Sequence, residues 1–411
     1  MARHKSERGA VAWWVLGAVA VLALLAWWGR DAGSGPAQAA APEAVKPAAS
    51  AAAATTASAP ASAPRAPFTP AALAARQRER AMWQQRLEQA QQTLEAYRAS
   101  TRYPHEARPL AEQPDQVRPN LPIEEDAPLR LADGRAARGV HLRTSQERVF
   151  VQGDESVRLS LSLRGDDGAV LPLRVVRATA REVPPPNTGS LYPVVPVNFN
   201  DEGLDGDLQA RDGVQGVRLQ PERQGFAGLS GQLRVEVVLQ HAGQEAVVFF
   251  DMVLTGAPGA VWTGSVREAL EEGSLNFYLG AEVRVPGRYV VTGRVDDATG
   301  RPLALLSFND EVGAGAQEFR LSLFGKLVRD AQPVFPLTLR DVEAFLLRPD
   351  SFPDRSLMAR RTGTVLVTRH HPLAAFSPAE WQSEERSRYL AELQRDVSEA
   401  QGRLTQLGPS R

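Results

Sequence analysis

Aspartate and asparagine are concentrated in residues 198–214, NFNDEGLDGDLQARDGV, whose side chains are the best placed in the sequence to do chemistry. Six oxygen-bearing side chains fall there within fifteen residues: Asn198, Asn200, Asp201, Asp205, Asp207 and Asp212. Calcium takes about six to eight hard oxygen ligands from a loop that can wrap around it, and the interspersed glycines permit such wrapping. Two interpretations follow: a calcium site formed by Asp201, Asp205, Asp207 and Asp212, or a solvated hairpin with local Asx turns.

The spacing of these residues differs from that of an EF-hand. An EF-hand needs ligands at alternate positions and a closing glutamate at about the twelfth. We therefore expect any calcium site here to be of another kind, and we predict no other cofactor.

Elsewhere, the residue types that usually carry catalysis do not form a recognisable constellation. His370 and His371 are adjacent, and neighbours in a strand point to opposite faces, so we expect a strand end without a metal. The acidic stretches 124–126 and 271–272 lie in polar connecting sequence, although paired carboxylates could in principle serve a hydrolase. The sequence contains neither G-x-S-x-G nor H-E-x-x-H nor a P-loop. We predict that the protein is not an enzyme, with a carboxylate-dependent hydrolase as a remote alternative.

Composition narrows the classes of partner. The formal net charge is −1, and no basic stripe with interleaved aromatic residues is present, so we predict no nucleic-acid binding. The chain contains no cysteine, which excludes disulfides, thiolate metal sites and a cysteine nucleophile. Its folded part must therefore be stabilised by apolar cores alone.

Residues 10–29 form an uncharged run, AVAWWVLGAVAVLALLAWWG, that predicts a transmembrane helix. Twenty helical residues span roughly 30 Å, the thickness of the hydrocarbon layer, and tryptophan pairs mark both ends. Basic residues dominate the preceding segment, so the positive-inside rule places residues 1–9 in the cytoplasm. We expect a single-pass protein of the inner membrane with its bulk in the periplasm. The alternative is a cleaved signal peptide, which would leave the same body soluble.

Residues 31–67 are almost entirely Ala, Pro, Ser, Gly and Thr, which predicts a flexible linker. Amphipathic helices are predicted at 69–99 and 377–407, the second beginning at a capping box, Ser377 to Glu380. Apolar residues recur in both at spacings of three and four: Trp83, Leu87, Ala90, Leu94 and Tyr97, then Leu390, Leu393, Val397, Ala400, Leu404 and Leu407. These stripes could pack on the β domains or on each other, or could join copies into a homo-oligomer or dock an envelope protein.

The region between the helices is rich in β-strand patterns. Apolar and polar residues alternate in segments such as SVRLSLSLR (156–164) and LRVEVVLQH (233–241), with turn signals between them. We predict a mainly β fold with antiparallel sandwiches at 137–256 and 257–373, flanked by the two helices. The extended, proline-rich segment 100–136 is expected to lie along the surface of the first sandwich, or else to bind a partner.

Several stretches in order suggest a family. They are YRASTRYPHEARPL (97–110), the acidic stretch 198–214, PGRYVVTGRVDDATGRPLALLSFNDEVGAG (286–315) and FRLSLFGKLVRD (319–330). The region 97–347 resembles exported bacterial proteins with paired immunoglobulin-like modules, called choice-of-anchor X, many of them uncharacterised. In that family a double aspartate usually stands where this chain has Asn200-Asp201, and an aromatic residue usually stands at the position of Gln215. The resemblance implies two immunoglobulin-like sandwiches and a location in the cell envelope.

Together these patterns predict a binding or scaffold protein that makes protein–protein contacts at a set distance from the membrane. A module that binds carbohydrate or peptidoglycan is the main alternative. Such a module would need exposed aromatic rings, and the available candidates are Tyr192, Trp262 and Tyr278.

Overall fold

The computed structural model describes residues 69–408, which form one compact unit. The predicted membrane run (10–29) and the predicted linker (31–67) lie outside the described residues. Within 69–408, no helix has both the length and the apolar character needed to cross a bilayer. The described fold is mainly β, with several antiparallel sheets, as the sequence predicts.

One long helix begins the described chain and another ends it, and the region between them consists of strands with one short helix. The helices are α1 (Pro70–Ser100), α2 (Gly325–Ala331) and α3 (Glu384–Leu407). The strands up to residue 255 are β1 (Ala107–Pro109), β2 (Ile123–Arg130), β3 (Ala136–Gln146), β4 (Phe150–Gln152), β5 (Val157–Gly165), β6 (Val170–Leu171), β7 (Arg174–Val183), β8 (Val195–Pro196), β9 (Gln215–Leu219), β10 (Gly231–His241) and β11 (Gln244–Thr255). The later strands are β12 (Ala260–Glu271), β13 (Ser274–Val283), β14 (Gly287–Asp296), β15 (Pro302–Val312), β16 (Gly315–Leu323), β17 (Thr338–Leu347), β18 (Arg355–Leu357) and β19 (Arg361–Val367).

The first β domain consists of two sheets that share one buried core. One sheet has the order β2-β3-β5-β6, with β9 also paired to β5, and the other has the order β4-β11-β10-β7-β8. Alternate residues of the central strands supply the core, because side chains on a strand alternate between its faces. Examples are Leu159 and Leu161 on β5 and Val235 and Val237 on β10, all almost completely buried.

The second β domain has the same general organisation around a more aromatic core. One sheet has the order β12-β13-β16, and the other has the order β1-β15-β14-β17-β18, with β19 also paired to β17. Phe277, Tyr289 and Phe319 are fully buried between the sheets. The rings of Tyr289 and Phe319 lie 5.5 Å apart, so aromatic packing adds to the aliphatic core.

The prediction that segment 100–136 lies along the first β domain is wrong for its first half. Residues 107–109 form β1, which pairs with β15 of the second domain, in the register Ala107 to Leu306. Ala107 and Leu110 are completely buried there. Its second half joins the first domain, with Ile123–Arg130 as β2 and Leu131 in a bridge to Ala246. The segment thus begins on the later domain, because its few apolar residues complete that domain's core.

Arg294 explains why residues 114–117, which follow β1, are also held on the second domain. This arginine on β14 is 1% exposed, and its guanidinium donates to the backbone and side-chain oxygens of Gln116 at 3.3 and 2.6 Å. It also donates to the carbonyl of Asp341 at 2.8 Å and lies 3.4 Å from Glu343. Burial lowers the pKa of Arg294, while Glu343 opposes that shift. A buried cation needs such partners, so Gln116 fixes the segment in place.

The two long helices pack against each other as an antiparallel hairpin. The Arg76 guanidinium near the start of α1 donates to the carbonyl of Leu407 at the end of α3. At the other end, Arg98 donates to Gln394, and the rings of Tyr97 and Tyr389 lie 5.8 Å apart. All eleven residues of the predicted apolar stripes are buried or half-buried, whereas most other helical residues are exposed. The alternative in which the helices pair with each other therefore describes the fold.

The second long helix begins later than the sequence predicts. Its N-cap is Ser383, whose hydroxyl accepts the N–H of Arg386 at 3.0 Å, and not Ser377. Residues 377–381 are tied to other segments, because Ser377 N–H donates to Gly273 and Trp381 N–H donates to Arg102. These bonds hold the chain out of helical geometry until Ser383.

Replacing Gln116 tests the role of the buried arginine. Gln116→Ala removes a charge-assisted bond from Arg294 without adding bulk, so we expect a loss of about 1–3 kcal/mol of stability. Urea unfolding monitored by intrinsic fluorescence measures the change. Glu112→Ala, at an exposed position of the same segment, is the matched control and should change stability by less than about 0.5 kcal/mol. Equal effects of the two substitutions would contradict this role.

Candidate functional site

The acidic loop connects β8 to β9 at one edge of the first β domain. One carboxylate oxygen from each of Asp201, Asp207 and Asp212 lies within 4.8 Å of the others. Asp207 is buried, and the other two are half-buried. Three of the four predicted ligands are thus brought together, while Asp205 is not part of the group.

Backbone N–H groups of the loop already contact these carboxylates. Asp201 accepts from the N–H groups of Asp212 and Gly213, both at 3.1 Å. Asp207 accepts from Gly203 at 2.6 Å, and Asp212 accepts from Val214 at 2.9 Å. The bond from Val214 to Asp212 is a local Asx turn, as the second interpretation of the sequence expects. The bonds to Asp201 instead cross the loop from residues eleven and twelve positions later.

Gly206 allows the loop to fold this tightly against β9. It has φ +108°, and a Cβ there would lie 2.2 Å from the carbonyl carbon of Val217. The preceding residue, Asp205, is also left-handed, with φ +46°, and its carbonyl accepts the N–H of Arg218. Asp205 is therefore used for its backbone geometry, which explains why its side chain is not among the converging carboxylates.

The geometry leaves a calcium ion chemically reasonable at this loop. Three carboxylates offer hard oxygen ligands from close positions, and each retains lone pairs that the backbone does not use. Calcium would also relieve the repulsion among three negative charges in a partly buried site.

The adjacent histidines lie just after the end of β19, as the sequence predicts, and their side chains lie in different environments. His371 is half-buried, with Nε2 3.2 Å from Oε1 of Glu268. His370 is exposed, and its ring centroid lies 5.7 Å from that of Phe335. Among the described residues, the metal-capable cluster of Asp201, Asp207 and Asp212 includes neither histidine. No sequence pattern singled out Glu268. In the structure its carboxylate is almost buried, at 8% exposed.

The two acidic stretches have structural surroundings of different kinds. Residues 124–126 lie on the exposed strand β2, where Asp126 contacts His141 at 3.1 Å. Glu271 accepts from the Tyr278 hydroxyl at 2.5 Å and from Asn276 at 2.8 Å. These two bonds lower the pKa of Glu271, with that from Tyr278 contributing most, which stabilises the carboxylate as an anion.

The three aromatic candidates for carbohydrate binding contact their own protein. Tyr192 lies 6.2 Å from Phe226, and the Trp262 indole N–H donates to the Ala359 carbonyl at 2.7 Å. The Arg267 guanidinium lies 3.8 Å from the ring centroid of Tyr278. In this geometry a sugar stacking on that face of Tyr278 would have to displace Arg267.

A charged joint between the two β domains was not foreseen from the sequence. Arg360 of the second domain donates to both carboxylate oxygens of Glu155 of the first, at 3.0 and 2.8 Å. It also donates to the backbone carbonyl of Phe150 at 3.0 Å and to Glu343 at 3.3 Å. The side chains of Arg360 and Glu155 are 14% and 17% exposed, so solvent screens this pair less than a surface pair.

A second arginine completes the joint. The Arg355 guanidinium lies 4.6 Å from the ring centroid of Phe150, in the first domain, and 4.8 Å from that of Phe345, in the second. Asp354 binds the same guanidinium at 2.8 Å. Cation–π contacts to both domains stabilise one orientation between them.

A cleft of about 500 Å³ opens where the chain leaves the second domain for the first. Residues 117–121 form one wall, and Asp296, Arg340 and Asp341 lie on the opposite side. Arg340 is held by Asp296, by Asp341 at 2.8 Å and by the Val117 carbonyl at 2.9 Å. The charges of the cleft therefore serve to attach residues 117–121 to the second domain.

No protein-family model and no curated protein matches the chain. Among solved structures, a DUF4785 family protein from Legionella pneumophila is similar at 12% identity and a TM-score of 0.37, covering 55% of this chain and 57% of that one. Dimeric latent PorU from Porphyromonas gingivalis is 13% identical, with a TM-score of 0.16, over 60% of this chain and 20% of that one. Trypsin-activated alpha-2-macroglobulin from Escherichia coli is 11% identical, with a TM-score of 0.20, over 54% and 15%. The chain spans 57% of the length of the first of these, and likeness at such scores carries no argument about function.

Calcium binding can be tested with a control from within the same loop. If calcium occupies the three converging carboxylates, saturating CaCl₂ should raise the melting temperature of the full chain by about 2–4 °C. Asp201→Asn and Asp207→Asn should each abolish the shift, while Asp205→Asn should retain it.

Scanning calorimetry with and without a chelator measures these shifts. An unchanged melting temperature for the native chain would refute the calcium hypothesis. A shift lost equally in Asp205→Asn would place the ion elsewhere.

Proposed function

We propose that this protein is a membrane-anchored scaffold of the bacterial periplasm, making protein–protein contacts at a set distance from the inner membrane. The joint between the β domains is the observation that carries the proposal. Arg360 and Arg355 together connect the domains through ion pairs, a backbone bond and two aromatic contacts. A scaffold that fixes distances needs its domains in one orientation, and such a joint supplies it.

The helical hairpin supports an anchored body. Thr69, two residues after the predicted linker (31–67), and Gly408 belong to the same end of the hairpin, because Arg80 donates to the Gly408 carbonyl. The opposite end is attached to the second β domain through Arg102 and Tyr103, which both contact Asp330. A helix of 31 residues is about 46 Å long. The hairpin would therefore act as a stalk between a linker from the membrane and the β domains.

The anchor is the run 10–29, with residues 1–9 in the cytoplasm and the remainder in the periplasm. The tryptophan pairs at both ends of the run support a membrane span, and the basic residues before it support this orientation. We further propose that each pair of sheets is an immunoglobulin-like sandwich. Two sheets around one core and the ordered resemblance to choice-of-anchor X proteins support that assignment.

Protease accessibility in the native cell tests the location. Spheroplasts with an intact inner membrane should lose residues 69–408 to external protease, while an epitope before residue 10 stays protected. The protein should remain in the membrane fraction after carbonate extraction, and deletion of residues 10–29 should release it. Recovery of the native chain from the cytosol, or protection of its body from external protease, would contradict the proposal.

Crosslinking in the native cell, detergent capture of the full chain and mass spectrometry test the scaffold role. We expect a reproducible set of envelope proteins. Recovery of this chain alone would count against a scaffold, and enrichment of peptidoglycan fragments instead would favour the carbohydrate-binding alternative.

Removing the central arginine tests the joint. Arg360→Ala leaves Glu155 with Arg148 at 3.3 Å and the Gln152 N–H at 3.0 Å as its partners, so we expect a loss of about 1–3 kcal/mol of coupling between the domains. We expect the two β domains of the variant to unfold in separate calorimetric transitions, while the native chain unfolds them in one. Arg288→Ala, at an exposed position bonded to Asn309, is the control and should retain the single transition. Separate transitions in the native chain would show that the joint does not couple the domains.

A further inference from the structure

Most sheet edges of the described residues are protected against pairing with another chain. Strand β2 carries Pro128 and an acidic stretch, and β8 ends after two residues at Pro196. Strands β1, β4 and β18 are three residues long, and β12 is interrupted by a bulge between Trp262 and Val266. Short strands, prolines, charges and bulges are the usual means of blocking edge-to-edge association.

Strand β16 (Gly315–Leu323) lacks these protections. It pairs with β13 over nine residues without a register shift, it contains no proline, and it is the last strand of its sheet. Of the strands within residues 69–408, it is the longest whose outer side is wholly unpaired and free of bulges. Its backbone N–H and C=O groups on that side can accept a further strand.

The side chains of β16 that face the core are tightly packed. Phe319 is completely buried, and its ring lies 5.8 Å from that of Trp262 and 5.4 Å from that of Phe308. Leu321 and Leu323 are also fully buried. The free edge is therefore presented by a rigid strand, which lowers the entropy cost of pairing.

The other face of β16 has a self-complementary order of side chains. Ala316, Glu318, Arg320 and Ser322 alternate on that face. Antiparallel pairing of two copies about a two-fold axis at Phe319 places Glu318 opposite Arg320 of the second copy, twice. A shift of the axis by one residue places Glu318 opposite Glu318 or Arg320 opposite Arg320, and like charges directly opposite are destabilising.

We propose that β16 is a homodimer interface, in which two copies join their β12-β13-β16 sheets into one continuous six-stranded sheet centred on Phe319. The interface is isologous, as a closed two-fold dimer requires. It is independent of the proposed anchor and of any envelope partner. It also differs from an oligomer formed through the long helices, because their apolar stripes pack within each copy.

The charges around the edge fit the second copy. Glu318 accepts from Arg267 of its own chain at 3.0 and 2.6 Å, and a carboxylate retains lone pairs for a further donor. The bond from Arg267 lowers the pKa of Glu318, which keeps it anionic at neutral pH. Arg320 is exposed on the edge, beside Tyr278 of β13. In the dimer, Glu318 of one copy lies between two arginines. One is Arg267 of its own chain, and the other is Arg320 of the second copy.

Charge reversal and mixing test the register. In detergent solution the full chain should sediment as a dimer, and Arg320→Glu and Glu318→Arg should each weaken self-association about tenfold or more, because each sets like charges opposite one another. Mixed in equal amounts, these two variants should form a heterodimer, since both cross-strand pairs then have opposite charges. Arg288→Glu, on another strand, is the control and should remain dimeric. A monomeric native chain, a dimer that survives Arg320→Glu, or a mixture without heterodimer would overturn the proposal.

A cysteine pair gives an independent measurement, because the native chain has no cysteine. In the proposed register Ala316 lies opposite Ser322 of the second copy, close enough for a disulfide. The double variant Ala316→Cys/Ser322→Cys should form a covalent dimer under mild oxidation. Each single variant should not, because its two sulfurs would lie about 20 Å apart along the strands. Covalent dimers from the single variants, or none from the double variant, would contradict this register.

Discussion

The insertion of residues 107–116 into the second β domain is the constraint on which the rest of the described structure depends. Ala107 and Leu110 are completely buried there, and Gln116 satisfies the buried cation of Arg294. The chain therefore leaves α1, completes the second domain, and only then builds the first. Because the same domain also binds the segment that leads into α3, both helices of the hairpin are attached to it at the same end. The hairpin and the two β domains consequently form one body.

Arg360 and Arg355 add the second constraint, the orientation of the first domain. Arginine suits this position, because its planar guanidinium can bind a carboxylate and a carbonyl at once and can stack on aromatic rings. The joint uses Glu155 and Phe150, which lie on or just after the short strand β4. Strand β4 pairs in parallel with the end of β11, so the joint is connected directly to the first domain's sheet.

Sequence periodicity predicted the elements well where one face of an element is buried. The stripes from Trp83 to Tyr97 and from Leu390 to Leu407 are the covered sides of α1 and α3, and the β alternation produced mainly antiparallel sheets. The path of segment 100–136 could not be predicted, because a few apolar residues such as Leu110 do not indicate which domain they complete. The start of α3 was misplaced for a related reason. The capping pattern at Ser377 is genuine, but tertiary bonds from Ser377 and Trp381 hold that stretch extended.

In the acidic loop, composition predicted the cluster of aspartates but not which of them converge. Its aspartates are visible in the sequence, and three of them converge, yet Asp205 serves through its left-handed backbone. The joint had no sequence signal, because Arg360 and Glu155 are 205 residues apart.

The central claim is that the β domains have one fixed orientation. Because the chain has no cysteine, Glu245→Cys and Glu311→Cys place one spin label on each β domain, both at exposed positions. Pulsed electron paramagnetic resonance then measures the distance between the two labels. The labelled chain is diluted into excess unlabelled chain, so that labels on two copies of the proposed homodimer do not contribute. We predict one narrow distance distribution, and a broad distribution would contradict the account.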